Sequence, residues 1–204
     1  MGTLTIRAAV ASKAMIARDA GVPSAEELLE HLEASLGPLT ESERVAQAEL
    51  KARGLPPISL LSFGRSTRQP VRWATFGLSR HLLDAKGRTI TQELVIPVAD
   101  REFAIGALTA IADHVLGKHL ALLPGERHRL HGWSERSPIS GVLVVPDPEL
   151  PPFADADPRV EFARLLPITD AEAAVARVHG WQVLTARLAA AGVDVSDLHR
   201  PSFA

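Results

Sequence analysis

The 204-residue chain contains no cysteine. That absence excludes disulfides, thiolate catalysis and cysteine-ligated metal centres. Tyrosine and asparagine are missing as well, and among the 22 basic residues only Lys13, Lys51, Lys86 and Lys118 are lysine. A usage rich in Ala, Leu and Arg and poor in Lys and Asn matches a GC-rich bacterial genome. The net charge is only −2, so nothing in the charge balance drives the chain towards nucleic acid or anionic membranes. No apolar run approaches the ~18 residues that a membrane-spanning helix needs. Met1 to Ala20 is interrupted by Arg7, Lys13, Arg18 and Asp19 and has no signal-peptide core, so a cytoplasmic protein is expected.

What is present is a core. Hydrophobic residues make up 46% of the chain, enough for one globular domain. Ser24-x-x-Glu27 is a capping box opening a helix over Ala25–Leu36, with Leu28, Leu29, Leu32 and Leu36 in one stripe and Gly37-Pro38 as the stop. A second box, Thr40-x-x-Glu43, predicts a helix over about Ser42–Arg53. Three β-rich runs follow, Ile58–Phe63, Val71–Leu78 and Ile90–Pro97, separated by polar turns. The first is apolar throughout and reads as covered on both faces.

Arg101–Leu116 is a core-facing helix, with Gly117 as its expected end. Leu123–Ser137 reads as loop, Ser140–Val145 as a short buried strand, Asp147–Pro158 as an exposed Pro-rich acidic loop, and Val160–Ile168 as a strand. A third box, Thr169-x-x-Glu172, starts a helix expected to reach about Ala190 with Gly180 inside it. The order predicts an α+β fold, a mixed and largely antiparallel sheet covered by helices. Residues 1–22 are expected to form an arm, 23–192 the domain, and 193–204 a loose tail.

Catalytic candidates are few. Glu93 is an acid within an apolar strand; alternation places it on the solvent side, where a backbone or Arg partner would suffice. His114, His119, His128 and His131 cluster in sequence, but His128-x-x-His131 lacks the i, i+4 spacing on one helix that a preformed metal site favours. Arg127, Arg129, Trp133 and Arg136 mix positive charge with an aromatic, which suits a partner contact better than nucleic acid in a chain of negative net charge. No GxGxxG, P-loop or GxSxG motif occurs. No catalytic, cofactor or metal residue is assigned, and a small-molecule ligand is not expected.

The order of these motifs resembles the Suppressor of fused (SUFU-like) domain family, in a bacterial form. The matching pieces are the helix ending Leu36-Gly37-Pro38, the run Trp73-Ala-Thr-Phe-Gly-Leu-Ser79, and Glu93-Leu-Val-Ile-Pro97. They continue with the helix at Leu108–Leu116, Ser137-Pro-Ile139, Val142–Val145, and Phe162 through Leu-Leu-Pro-Ile-Thr169 to Glu172, over residues 25–190 in all. The resemblance implies a protein-interaction module: sequestration of a transcription factor in animals, neutralisation of toxins by immunity proteins in bacteria. With the family, the expected function is stoichiometric binding of another protein, such as a toxin encoded by a neighbouring gene. The expected contact residues are Trp133, Arg136 and Phe153, on two loops of unlike charge. The alternatives are a regulator sequestering a cytoplasmic factor, and a small enzyme using Glu93, His114 and His128.

Overall fold

The structure is a computed structural model and describes residues 23–44, 57–64, 71–131, 137–153 and 159–203. The proposed arm, most of the second predicted helix, and both Trp133 and Arg136 lie outside the described residues.

Helix α1 (Ala25–Leu36) forms as its sequence dictates. Glu27 N–H donates to Ser24 Oγ at 3.2 Å, and Glu27 Oε2 accepts from Ser24 N–H at 2.8 Å. Gly37, at φ 91°, ends it, and the four leucines of its stripe are buried. Each such side chain contributes on the order of 1.5–3 kcal/mol by leaving water.

The Thr40 box does not open a helix. Leu39–Arg44 is strand β1, antiparallel to β2 (Ser59–Phe63), with Leu39 opposite Phe63 and Arg44 opposite Ser59. Both members of the box are claimed by tertiary partners. Thr40 Oγ1 donates to the Ser62 carbonyl at 3.0 Å, while Glu43 pairs with Arg101 and Glu41 meets the same guanidinium at 2.6 Å. A capping box contributes about 1 kcal/mol, less than a strand ladder with two ion pairs.

The remaining strands are β3 (Arg72–Phe76), β4 (Leu83–Asp84), β5 (Thr89–Ile96), β6 (Arg127–Arg129), β7 (Ile139–Pro146) and β8 (Val160–Thr169). They make one mixed sheet in the order β1-β2-β3-β5-β8-β7-β6, with β4 paired to β5; among the described strands only the β5–β8 pair is parallel. A 3₁₀ turn at Leu78–Arg80 follows β3.

Alternation divides each strand between two cores. On one face Leu60, Trp73, Leu94, Ile96, Val144 and Leu165 pack against helix α2 (Arg101–Lys118). On the other, α1 covers Leu61, Phe63, Ala74 and Val95, while α3 (Asp170–His179) and α4 (Trp181–Ala190) cover Leu143, Val145, Leu166 and Ile168. The doubly covered β2 fits its unbroken apolar run.

Three further expectations are corrected. Helix α2 passes Gly117 and ends at His119 in the left-handed region, φ 55°, where Asp84 N–H donates to the His119 carbonyl at 2.9 Å and sets the exit. Gly180 breaks the last helix in two: its φ of 86° and ψ of 159° are open to glycine and strained for other residues. The tail after Gly192 is docked. Leu198 is buried in the α2-side core, and Arg200, 4% exposed, pairs with Glu172 at 2.5 Å.

Candidate functional site

Strand β6 lies in the stretch Leu123–Ser137 whose sequence predicts a loop, since Arg-His-Arg has no apolar alternation. It exists because β7 offers a bare backbone. A Cβ on Gly141 would collide with the His128 carbonyl oxygen, so glycine alone lets β6 approach this closely. Gly125, at φ 96°, makes the entry turn. The ladder continues beyond the strand, with Gly125 N–H to Val144 O at 2.8 Å and Leu130 N–H to Ser140 O at 3.1 Å. Among the described residues, nothing pairs with the outer edge of β6, which ends the sheet.

A groove lies on each side of this edge. The first, about 650 Å³, runs between β6–β7 and α3 and holds Arg127, Arg129, Asp170 and Arg177. The second, about 440 Å³, lies towards α2 and β4 and holds Asp84, Lys86, His114, Lys118 and Glu126. His128 borders both. Its ring meets His114 edge-on, centroids 5.1 Å apart. Burial holds the His128 ring below the ordinary histidine value; His114 and Lys118 act in the same sense and Glu126 opposes them. The sheet thus brings His114 and His128 together. Among the described residues no group of three or more His, Asp or Glu side chains is placed to hold a metal ion.

Glu93 does not join them. The solvent side expected for it is wrong, because the side chain is fully buried. After Ala74, β3 parts from β5, and Thr75 Oγ1 accepts the Leu94 N–H at 2.8 Å in place of a ladder bond. Into the gap turns the Glu93 carboxylate. It accepts from Thr75 Oγ1 at 2.5 Å, Gly77 N–H at 2.9 Å, Ser79 N–H at 3.0 Å and Ser79 Oγ at 2.7 Å. Desolvation raises its pKa, and these hydrogen bonds offset that only in part. The carboxylate holds the turn after β3, and its hydrogen bonds among the described residues include neither histidine.

Of the expected contact residues, Phe153 is described. It is half-buried, pairs with Val160 through backbone hydrogen bonds, and stands edge-on to His31 at 5.3 Å. The loop Asp147–Pro158 is described as far as Phe153: Pro148, Glu149, Pro151 and Pro152 are exposed as expected, while Asp147 and Leu150 are buried and Arg72 reaches Glu149 at 2.7 Å and Asp147 at 3.7 Å. The functional signal that sequence reasoning missed was Gly141, a glycine inside a strand, which marks close backbone approach.

Fold and site together define an α+β module whose sheet ends in β6 between two grooves, the first mainly polar and the second mixed. The family model described as Suppressor of fused protein (SUFU) matches residues 54–201, and the chain belongs to that family. Three solved structures show the same fold. A SUFU homolog from Neisseria gonorrhoeae is 21% identical with a TM-score of 0.65, over 87% of this chain and 94% of that one. The Sufu–Fu complex is 18% identical at TM-score 0.63, covering 89% and 93%. Drosophila Suppressor of Fused is 18% identical at 0.63, covering 86% of this chain and 50% of the fly protein. No curated protein sequence matches. Among the described residues no helix is long and apolar enough to cross a membrane.

Proposed function

We propose that this chain is a non-enzymatic interaction module that binds another protein stoichiometrically through the β6 end of its sheet. The observation that carries the reading is the outer edge of β6, which pairs with nothing among the described residues, is hydrogen-bonded on its inner side to β7, and is flanked by two grooves. An open edge offers a partner main-chain hydrogen bonds, and grooves beside it take side chains. Trp133 and Arg136 follow β6 within a few residues and serve as anchors. Phe153 contributes from the α1 side. The chain acts in the cytoplasm as a bacterial immunity protein, neutralising a toxin encoded beside it.

A second reading, a regulator that sequesters another cytoplasmic factor, draws on the solved complex of the similar Sufu with Fu. Against the small-enzyme reading, Glu93 is fully buried and tied to the turn after β3, bonded to neither His114 nor His128. The test is co-expression with the neighbouring gene product and calorimetry of the purified pair. A one-to-one complex weakened by Trp133→Ala or Arg136→Ala in a folded protein is expected. Absence of a complex with any neighbour product, together with substrate turnover that tracks His114 or His128, would sink the proposal.

A further inference from the structure

Resting on that reading, we infer that the groove between β6 and α3 selects an acidic segment of the partner protein, extended and carrying carboxylates at alternate residues. The groove walls hold three guanidinium groups, Arg127, Arg129 and Arg177, against one carboxylate, Asp170. Little of that positive charge is spent internally. Arg127 donates one N–H to the Ala173 carbonyl at 3.2 Å, and its other donors have no partner among the described residues. Arg129 meets Asp170 at 3.4 Å with both side chains more than two-thirds exposed, a contact worth little in water. Asp170 is also shared with Ser140 Oγ at 2.9 Å. Arg177 has no hydrogen-bond or ion-pair partner among the described residues.

Spacing sets the pattern. Arg127 and Arg129 are two apart on a strand, so their side chains leave the same face about 7 Å from each other. An extended partner repeats its side chains at the same interval, so carboxylates at i and i+2 meet both guanidiniums. Arg177 closes on them from α3, opposite. Planar guanidinium is the group suited to bidentate carboxylate pairing. Ala173 and Ala174 keep the α3 wall low enough to admit a chain. A nucleic-acid strand presents charge at a similar interval, but the whole protein carries −2, and Asp170 and Glu126 bracket β6. A protein carboxylate tolerates that surrounding better than a polyphosphate does.

The experiment uses the full chain at low and at physiological salt, with a short fluorescent peptide of alternating Glu and Ser. Controls are a peptide with the same glutamates in one block, an alternating Lys-Ser peptide and a short oligothymidylate. The alternating acidic peptide should bind one-to-one and tightest. Arg129→Glu with Arg177→Glu should weaken it about tenfold or more. Arg187→Glu, on the exposed face of α4 and away from the groove, should change it less than about twofold. Circular dichroism and the melting midpoint verify that the variants fold. Equal or tighter binding of oligothymidylate, no saturable binding of the acidic peptide, or indifference to the double reversal overturns the inference. So does a self-association that the reversal abolishes, since the occupant would then be a second copy. Should the neighbour's product bind one-to-one and ignore the reversal, this groove assignment falls while the binding module stands.

Discussion

Two buried carboxylates hold this molecule together by opposite means. Glu93 and Glu172 are both fully withdrawn from water, and each accepts four hydrogen bonds. The donors of Glu93 are hydroxyls and backbone N–H groups from Thr75 to Ser79, with no cation among them. Those of Glu172 include both Nη atoms of Arg200, at 2.5 and 2.8 Å, together with Thr169 N–H and Phe203 N–H. Burial acts on both to raise the pKa. It prevails at Glu93, whereas at Glu172, where burial is still the largest single influence, the Arg200 bonds, the Thr169 and Phe203 N–H groups and the Arg200 charge together outweigh it and the pKa is lowered. A buried acid fed by neutral donors fixes a local turn. One fed by an arginine 28 residues away fastens the C-terminal segment to the sheet.

The comparison breaks most visibly at the cation. Arg200→Met removes the charge that Glu172 was folded around, and one orphaned buried carboxylate costs roughly 3–5 kcal/mol. The urea midpoint of unfolding should fall accordingly, and amides from Val193 to Phe203 should lose hydrogen-exchange protection. An unchanged midpoint would mean that the pair is ornamental.

Glu93→Ala is expected to cost less, about 2–4 kcal/mol. The two hydroxyls can turn elsewhere, while the N–H groups of Gly77 and Ser79 stay buried without acceptors. The pH dependence separates the sites more sharply. Glu172 has a folded pKa below its unfolded one, so its contribution is complete above the ordinary glutamate value and is lost as pH falls through the folded value. Glu93 has a folded pKa above its unfolded one, so the folded state holds that proton more tightly, and stability is lost as pH rises from the ordinary value through the raised one. Urea midpoints measured against pH should therefore show Glu172→Gln flattening the acid limb and Glu93→Gln the limb above it. The same change of slope in both variants would show that the two environments do not differ.

How far the sequence announces these features depends on where the partners lie. The Ser24 and Thr169 boxes are legible because every partner is within three residues, and both form. The Thr40 box fails because Ser62, 22 residues from Thr40, and Arg101, 58 from Glu43, compete for its side chains. Glu93 was legible as a structural acid taking backbone partners, but not as a buried one. Its burial follows from β3 leaving β5 after Ala74, a departure that no local pattern records. Arg200 sits between His199 and Pro201 in a stretch with no periodicity, and only the fold brings it to Glu172. Strand β6 escaped for a related reason: its pairing depends on the missing side chain of Gly141 on another strand.

Each acid also leans on a threonine, and this gives the smallest and finest test. Thr75 Oγ1 has two duties, donating to Glu93 and accepting the Leu94 N–H at 2.8 Å. Thr169 Oγ1 accepts the Glu172 N–H at 3.2 Å and meets Ser202 Oγ at 2.8 Å at the C-terminal end of its strand. Thr75→Val keeps the shape but strands a buried N–H on β5, so about 2 kcal/mol should be lost. Thr169→Ala removes a helix cap, yet Glu172 keeps its arginine, and about 1 kcal/mol should go. Measured side by side by urea denaturation, the valine variant should be the less stable of the two. If Thr169→Ala instead proves the more damaging, the hydroxyl is carrying part of the Arg200 clasp, and the cation at Glu172 is less self-sufficient than its geometry indicates.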